Sequence, residues 1–114
     1  SLANAMIKSM SGGVNVGGVF EARGVGTVSS RCSILFKNGA NIRLDGNSNS
    51  TMHHKVIIID SQIVILGSFN FSDNANTDND ENLLIIHSPS VAHEFEQEFQ
   101  RLFSQGVTTN SSCD

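Results

Sequence analysis

The sequence predicts an α/β domain, a mixed β-sheet flanked by helices on both faces. Three observations carry that expectation. The elements read, in order, as helix, strand, helix, four short strands and a final helix. Two apolar runs, 56–59 and 63–66, are short and rich in β-branched residues, as strands buried on both sheet faces are. Near each end of the chain the apolar residues recur at helical spacing instead.

Leu2, Met6 and Met10 stand at i, i+4 and i+8, the apolar face of a short helix with Ser1 at its N-cap and Gly12-Gly13 as its stop. Residues 14–20 read as a strand whose Gly17 and Gly18 let a neighbouring backbone approach. Residues 21–27 read as a flexible connector. A second helix is expected over 29–37, capped by Ser29 or Ser30 and ended by Asn38-Gly39. Residues 41–44 form a short strand and 45–51 a polar loop. Beyond the two apolar runs come a second polar loop at 71–80 and a strand at 83–86. Ser88-Pro89-Ser90 opens the last helix, where Val91, Phe95, Phe99, Leu102 and Phe103 form one core-packing stripe. Gly106 ends it. The expected organisation is one domain over 1–106 followed by a disordered polar tail, 107–114.

The chain has 114 residues, enough for one core, and no apolar run approaches the ~20 residues of a membrane helix. Cys32 and Cys113 are too few and too far apart for a disulfide framework or a zinc cluster, so two unpaired thiols are expected, with an adventitious bridge from Cys113 in a loose tail as the alternative, and the compartment stays undetermined. The formal net charge of −4 is unevenly spread. Residues 1–55 carry six Lys/Arg against two acids, and residues 56–114 one against nine. A polyanionic substrate would meet the first half, where Arg23, Arg31 and Arg43 are the candidate contacts. Solvated charges on an acidic protein are the alternative explanation, of equal weight.

The stretch 51–70 carries the chemistry. His53 and Lys55 lie two residues apart, which on a strand puts imidazole and ammonium on one face. Asp60 closes the first apolar run, and Gly67-Ser68-Phe69-Asn70 closes the second, with Ser68 and Asn70 again at i and i+2. A basic pair at the mouth of one strand and a Gly-Ser-x-Asn turn after the next make an anion site. Taken singly, a histidine near a strand end or a GSxN turn means little. The combined pattern, H-x-K-x4-D-x6-G-S-x-N, resembles the signature of the phospholipase D (HKD) superfamily. Glu81, eleven residues past Asn70, stands where the resemblance also expects a glutamate.

The resemblance covers about residues 2–103 and is specific from His53 to Asn82. It implies the phospholipase D/nuclease-like fold and phosphodiester hydrolysis through a covalent phosphohistidine. His53 would be nucleophile or acid, Lys55 and Asn70 phosphate binders, and Ser68 a supporting donor. Glu81 would hold the far nitrogen of His53, as the Asp of a serine-protease triad does. Asp60 has the opposite strand parity and reads as a structural member of the motif; His54 likewise faces away. The chemistry calls for no metal and no cofactor.

Such a mechanism needs two histidines, and one H-x-K occurs here. A homodimer with a shared active site, or a second motif in a longer parent chain, would supply the other. The family also has a strand ahead of the first helix, so a domain lacking its first strand is expected. A metal-independent nuclease acting on DNA or RNA is the leading expectation, favoured by the lone motif and the basic first half. A phospholipase D-type lipid hydrolase or phosphatidyltransferase is the alternative; against it stand the lack of Trp and Tyr and of a basic amphipathic helix. A non-catalytic dimerising or nucleic-acid-binding module comes last, because every motif position holds its expected residue.

Overall fold

The computed structural model of the chain describes residues 2–23, 31–67, 82–110 and 113. They form helices α1 (Leu2–Ser11), α2 (Cys32–Lys37) and α3 (Pro89–Gln105). The strands are β1 (Gly17–Phe20), β2 (Asn41–Leu44), β3 (Val56–Ile59), β4 (Ile63–Gly67), β5 (Leu83–His87) and β6 (Val107–Thr108). The α/β class stands. Among the described residues, however, the strands pair as two sheets of three, β1-β2-β6 and β3-β4-β5, in place of one mixed sheet. In the first sheet β2 is central, with β1 paired parallel to it and β6 antiparallel, so that sheet is itself mixed. The chain correspondingly divides into two compact units, 1–53 with 102–114, and 54–101.

The first unit holds a core of Ala3, Cys32, Leu35, Ala40, Ile42, Leu44 and Cys113, with Met6, Ile7, Met10, Val16, Phe20 and Phe36 packed against it. Helix α1 therefore turns Ala3, Met6, Ile7 and Met10 inward, while Leu2, assigned to that face by spacing, lies 38% exposed. Gly13, at φ +96°, ends the helix with its N–H on the Met10 carbonyl, a conformation that suits glycine. The residue at the N-cap of α2 is Arg31, which makes no side-chain cap bond; the expected serine caps, like Ser1, lie outside the described residues.

Two expectations about the C-terminal residues are overturned. Val107 and Thr108 pair with Leu44 and Arg43, so the segment after α3 begins as a strand, where a disordered tail is expected. Cys113 is buried and bonded to Cys32 in a disulfide that spans 81 residues of sequence, so neither thiol is free. Sequence distance misleads here because β6 brings the chain back alongside β2, next to the core in which Cys32 is already buried.

The second unit is an antiparallel meander. β3 pairs with β4 from Val56↔Leu66 to Ile59↔Ile63, and β4 with β5 from Ile63↔His87 to Gly67↔Leu83. The β3–β4 turn places Asp60 and Ser61 at φ +53° and +56°, and the Gln62 N–H donates to the Ile59 carbonyl. Positive φ at both central residues is the geometry of a type I′ hairpin turn, which Asp tolerates and β-branched residues do not. The Ser61 hydroxyl donates to Glu96 of α3. Ser88 caps α3, its Oγ accepting from the Val91 N–H, and Pro89 takes the first helical position. Val64 and Ala92 are the fully buried side chains of this unit, among the described residues. The strands are otherwise less covered than their apolar runs suggest, with Leu83, Leu84 and Ile85 each more than half exposed. An antiparallel sheet does not require helices on both faces, as a parallel one does.

Gly67 is fixed by contact. A Cβ there would lie 2.0 Å from the carbonyl oxygen of Asn82 and 3.0 Å from its carbon, both backbone atoms. Only glycine lets the end of β4 and the start of β5 come this close.

These contacts set two expected outcomes. Removing the disulfide by reduction or by Cys32→Ala should cost about 2–5 kcal/mol, read as a fall in the urea midpoint, and thiol titration of the unreduced, denatured chain should find no free thiol. Asp60→Gly or Asp60→Asn should leave stability nearly unchanged, whereas Asp60→Val should cost ~1–2 kcal/mol in the same measurement. Gly67→Ala should speed amide exchange across β5, because the backbone of Asn82 and Leu83 has to move away.

Candidate active site

The approach to His53 is built in the first unit. At the exit of β2 the Asp45 N–H donates to the Phe20 carbonyl at 2.7 Å, which aligns the residues after β1 with the loop 45–52. That loop is braced by its own side chains. Asn47 donates its N–H to Asp45 Oδ1 and its amide to Ser50 Oγ, and its Oδ1 accepts from the Asn49 N–H. Such Asx contacts let a polar loop hold a shape without a ladder.

Glu21 and Arg23 then clamp the end of the loop. Glu21 Oε1 accepts the N–H of Arg23 at 3.0 Å, and Oε2 accepts the N–H of Met52, one residue before His53. Arg23 donates from Nη1 to Thr51 Oγ1 at 2.8 Å and from Nη2 to the Ser48 carbonyl at 3.1 Å. The Arg23 N–H is the main cause that holds the Glu21 carboxyl below its ordinary range. The Met52 N–H and the Arg23 charge add to the effect, and desolvation opposes it. Glu21 is thus an ionised acceptor at neutral pH. Sequence reading placed it in a flexible connector, and nothing in its neighbours signals a partner 31 residues away.

His53 closes the first unit and is exposed; Lys55 lies near the start of the second and is half-buried. Both precede β3, which begins at Val56, so the strand geometry invoked to place them on one face does not extend to them. His54, between them, is exposed, with Nε2 3.8 Å from Glu98 Oε1. Glu98 also accepts two bonds from Arg101, chiefly responsible for holding its carboxyl below the ordinary range, with desolvation opposing. His54 therefore belongs to a surface charge cluster with α3, consistent with its exclusion from the candidate set.

Asp60 sits in the β3–β4 turn at the far end of β3 from Lys55. Ser68, Asn70 and Glu81 lie outside the described residues. The structure does describe the two backbone positions that bracket them: Gly67, before Ser68, and Asn82, after Glu81, are in direct contact.

The three arginines differ. Arg23 is engaged with the loop, as above. Arg43 donates to the Phe103 carbonyl at 2.6 Å, and its guanidinium lies 4.1 Å from the centre of the Phe103 ring, a cation–π contact inside the first unit. Its place in the fold is structural, which runs against its reading as a substrate contact. Arg31 is exposed at the start of α2.

Comparison with known proteins places this arrangement. Residues 1–103 match the family described as "Cardiolipin synthase, PLD-like domain". A mitochondrial cardiolipin hydrolase of Xenopus tropicalis is 32% identical over 105 residues, covering 92% of this chain and 50% of that protein. A phospholipase D of Rickettsia prowazekii (strain Madrid E) is 42% identical over 59 residues, 52% of this chain and 27% of that protein. The chain thus spans half the length or less of these curated relatives. Among solved structures, Nuc from Salmonella typhimurium, a phospholipase D family member, superposes with a TM-score of 0.79 at 35% identity over 91% of this chain and 70% of that one. NucT from Helicobacter pylori gives 0.82 at 27% identity, over 93% and 72%. With a family match over nearly all of its length and the H-x-K-x4-D-x6-G-S-x-N pattern inside that match, the chain belongs to the phospholipase D superfamily.

Proposed function

We propose that this domain hydrolyses phosphodiesters through a covalent phosphohistidine, with nucleic acid as substrate and two copies of the chain sharing one site. The observation that carries the chemistry is the complete set His53, Lys55, Ser68 and Asn70, followed by Glu81, within a family match over 1–103. The excess of basic residues before position 56 supports the nucleic-acid reading.

Phosphodiesters resist attack because their anionic oxygens repel nucleophiles and the alkoxide leaves poorly. In the proposed first step a ring nitrogen of His53 forms a bond to phosphorus as the bond to the leaving oxygen breaks. That oxygen keeps the electron pair and takes a proton from the imidazolium of the second copy's His53. In the second step water attacks phosphorus, gives a proton to that now neutral imidazole, and the P–N bond breaks back to His53. Lys55, Asn70 and Ser68 stabilise charge on the non-bridging oxygens throughout. Glu81 holds the far nitrogen of its own His53 and fixes the tautomer. Asp60 serves the hairpin turn. An ammonium and neutral donors fill the charge-stabilising role, so the scheme needs no divalent cation.

One observation favours a lipid substrate. The relatives named mitochondrial cardiolipin hydrolase share about a third of their residues with this chain over most of its length. Among the described residues, no helix is long and apolar enough to cross a membrane.

His53→Asn should abolish turnover with folding intact; a tenth of wild-type activity remaining would exclude His53 as nucleophile or acid. Lys55→Ala and Asn70→Ala should each lower kcat by about 10²–10³. All activity should persist in excess EDTA. Mixed dimers of wild-type and His53→Asn chains should be nearly inactive, and half-activity would show that one chain suffices. Binding of nucleic acid to His53→Asn protein should weaken steeply with salt, and Arg31→Ala should shallow that slope by about one counterion. A flat salt response with hydrolysis of cardiolipin vesicles would move the assignment to the lipid.

A further inference from the structure

We infer that Glu21 and Arg23 are positioning residues for His53, acting through the backbone of 48–52. The inference rests on the reading of His53 as the catalytic imidazole. The two residues leave β1 beside the exit of β2, where the Asp45 N–H meets the Phe20 carbonyl. From there each side chain makes two bonds. The carboxylate of Glu21 joins its own strand exit, through the Arg23 N–H, to the Met52 N–H. The guanidinium of Arg23 spans the Ser48 carbonyl and Thr51 Oγ1. Residues 48, 51 and 52 are thus held from one side, and His53 follows directly.

His53 follows Met52 directly and precedes β3, which begins at Val56. Glu21 is bonded to the residue immediately before it, so the backbone that enters His53 is held at Met52. An attacking imidazole is sensitive to this, since a misplacement of about 1 Å costs on the order of 100-fold in rate. The anchoring groups are exposed or half-buried, so their loss should be felt in catalysis far more than in stability. A planar, two-pronged arginine suits this task, and lysine cannot span both acceptors.

The test uses the full chain, with bis(p-nitrophenyl) phosphate and single-stranded DNA as parallel substrates. Glu21→Ala and Arg23→Ala should each lower kcat about tenfold or more on both substrates, with KM within twofold and the melting temperature nearly unchanged. Arg23→Lys should not rescue. Thr51→Val removes the acceptor of Arg23, so the Arg23→Ala/Thr51→Val double variant should lose little beyond Arg23→Ala alone. Amide exchange at Met52, followed by NMR, should be slow in the wild type and fast in Glu21→Ala whatever the activity. A loss confined to DNA, rising with salt and seen in KM, would make Arg23 a substrate contact and overturn the inference. Unchanged kcat in Glu21→Ala, with Met52 exchange accelerated and His53→Asn inactive, would overturn it while leaving the function standing. Activity surviving in His53→Asn would remove the functional reading and the positioning role together.

Discussion

The parallel pairing of β1 with β2 is the constraint on which the first unit depends. Its register, Gly17↔Asn41 to Phe20↔Leu44, is extended past the strand ends by the bond from Asp45 to Phe20. A parallel pair cannot close through a tight turn, so the intervening chain must cross over, and α2 lies in that crossover. The pairing sets two further features. It leaves one edge of β2 for β6, which returns the chain to the core where Cys113 meets Cys32. It also delivers Glu21 and Arg23 to the loop that leads into His53.

The second unit solves a different problem with local contacts. Its strands follow one another antiparallel, so short connections suffice, and the first of them uses Asp60 and Ser61 in left-handed geometry. The motif aspartate thereby gains a physical role independent of phosphate chemistry. The motif glycine gains one as well, because the Asn82 carbonyl occupies the space of a Cβ at Gly67. Two of the motif's six named positions thus shape backbone.

The covalent link between α2 and the C-terminal segment adds a constraint of another kind. A disulfide restricts the unfolded chain, more so for a long loop, and this one spans 81 residues. The buried side chains of the first unit are few and mostly small or medium in size. A staple is the means by which small domains supplement such a core.

Much of this was legible in the sequence. The strands 41–44, 56–59 and 63–66 and the start of α3 appear where local pattern puts them, because short β-branched runs, a Ser-Pro start and a Gly stop act over a few residues. The motif was legible as spacing in the sequence, and two of its positions, Asp60 and Gly67, fall in the turn between β3 and β4 and at the end of β4. Tertiary structure alone decided the rest. Spacing assigned Leu2 to the buried face of α1, but the neighbouring α2 and the sheet select Ala3, Met6 and Ile7. The cysteines pair because β6 pairs, and Arg43 turns to Phe103 because the end of α3 is there to receive it. Glu21 finds Met52 for a like reason: which strands lie side by side depends on pairing between distant segments, and no local pattern encodes a partner 31 residues away.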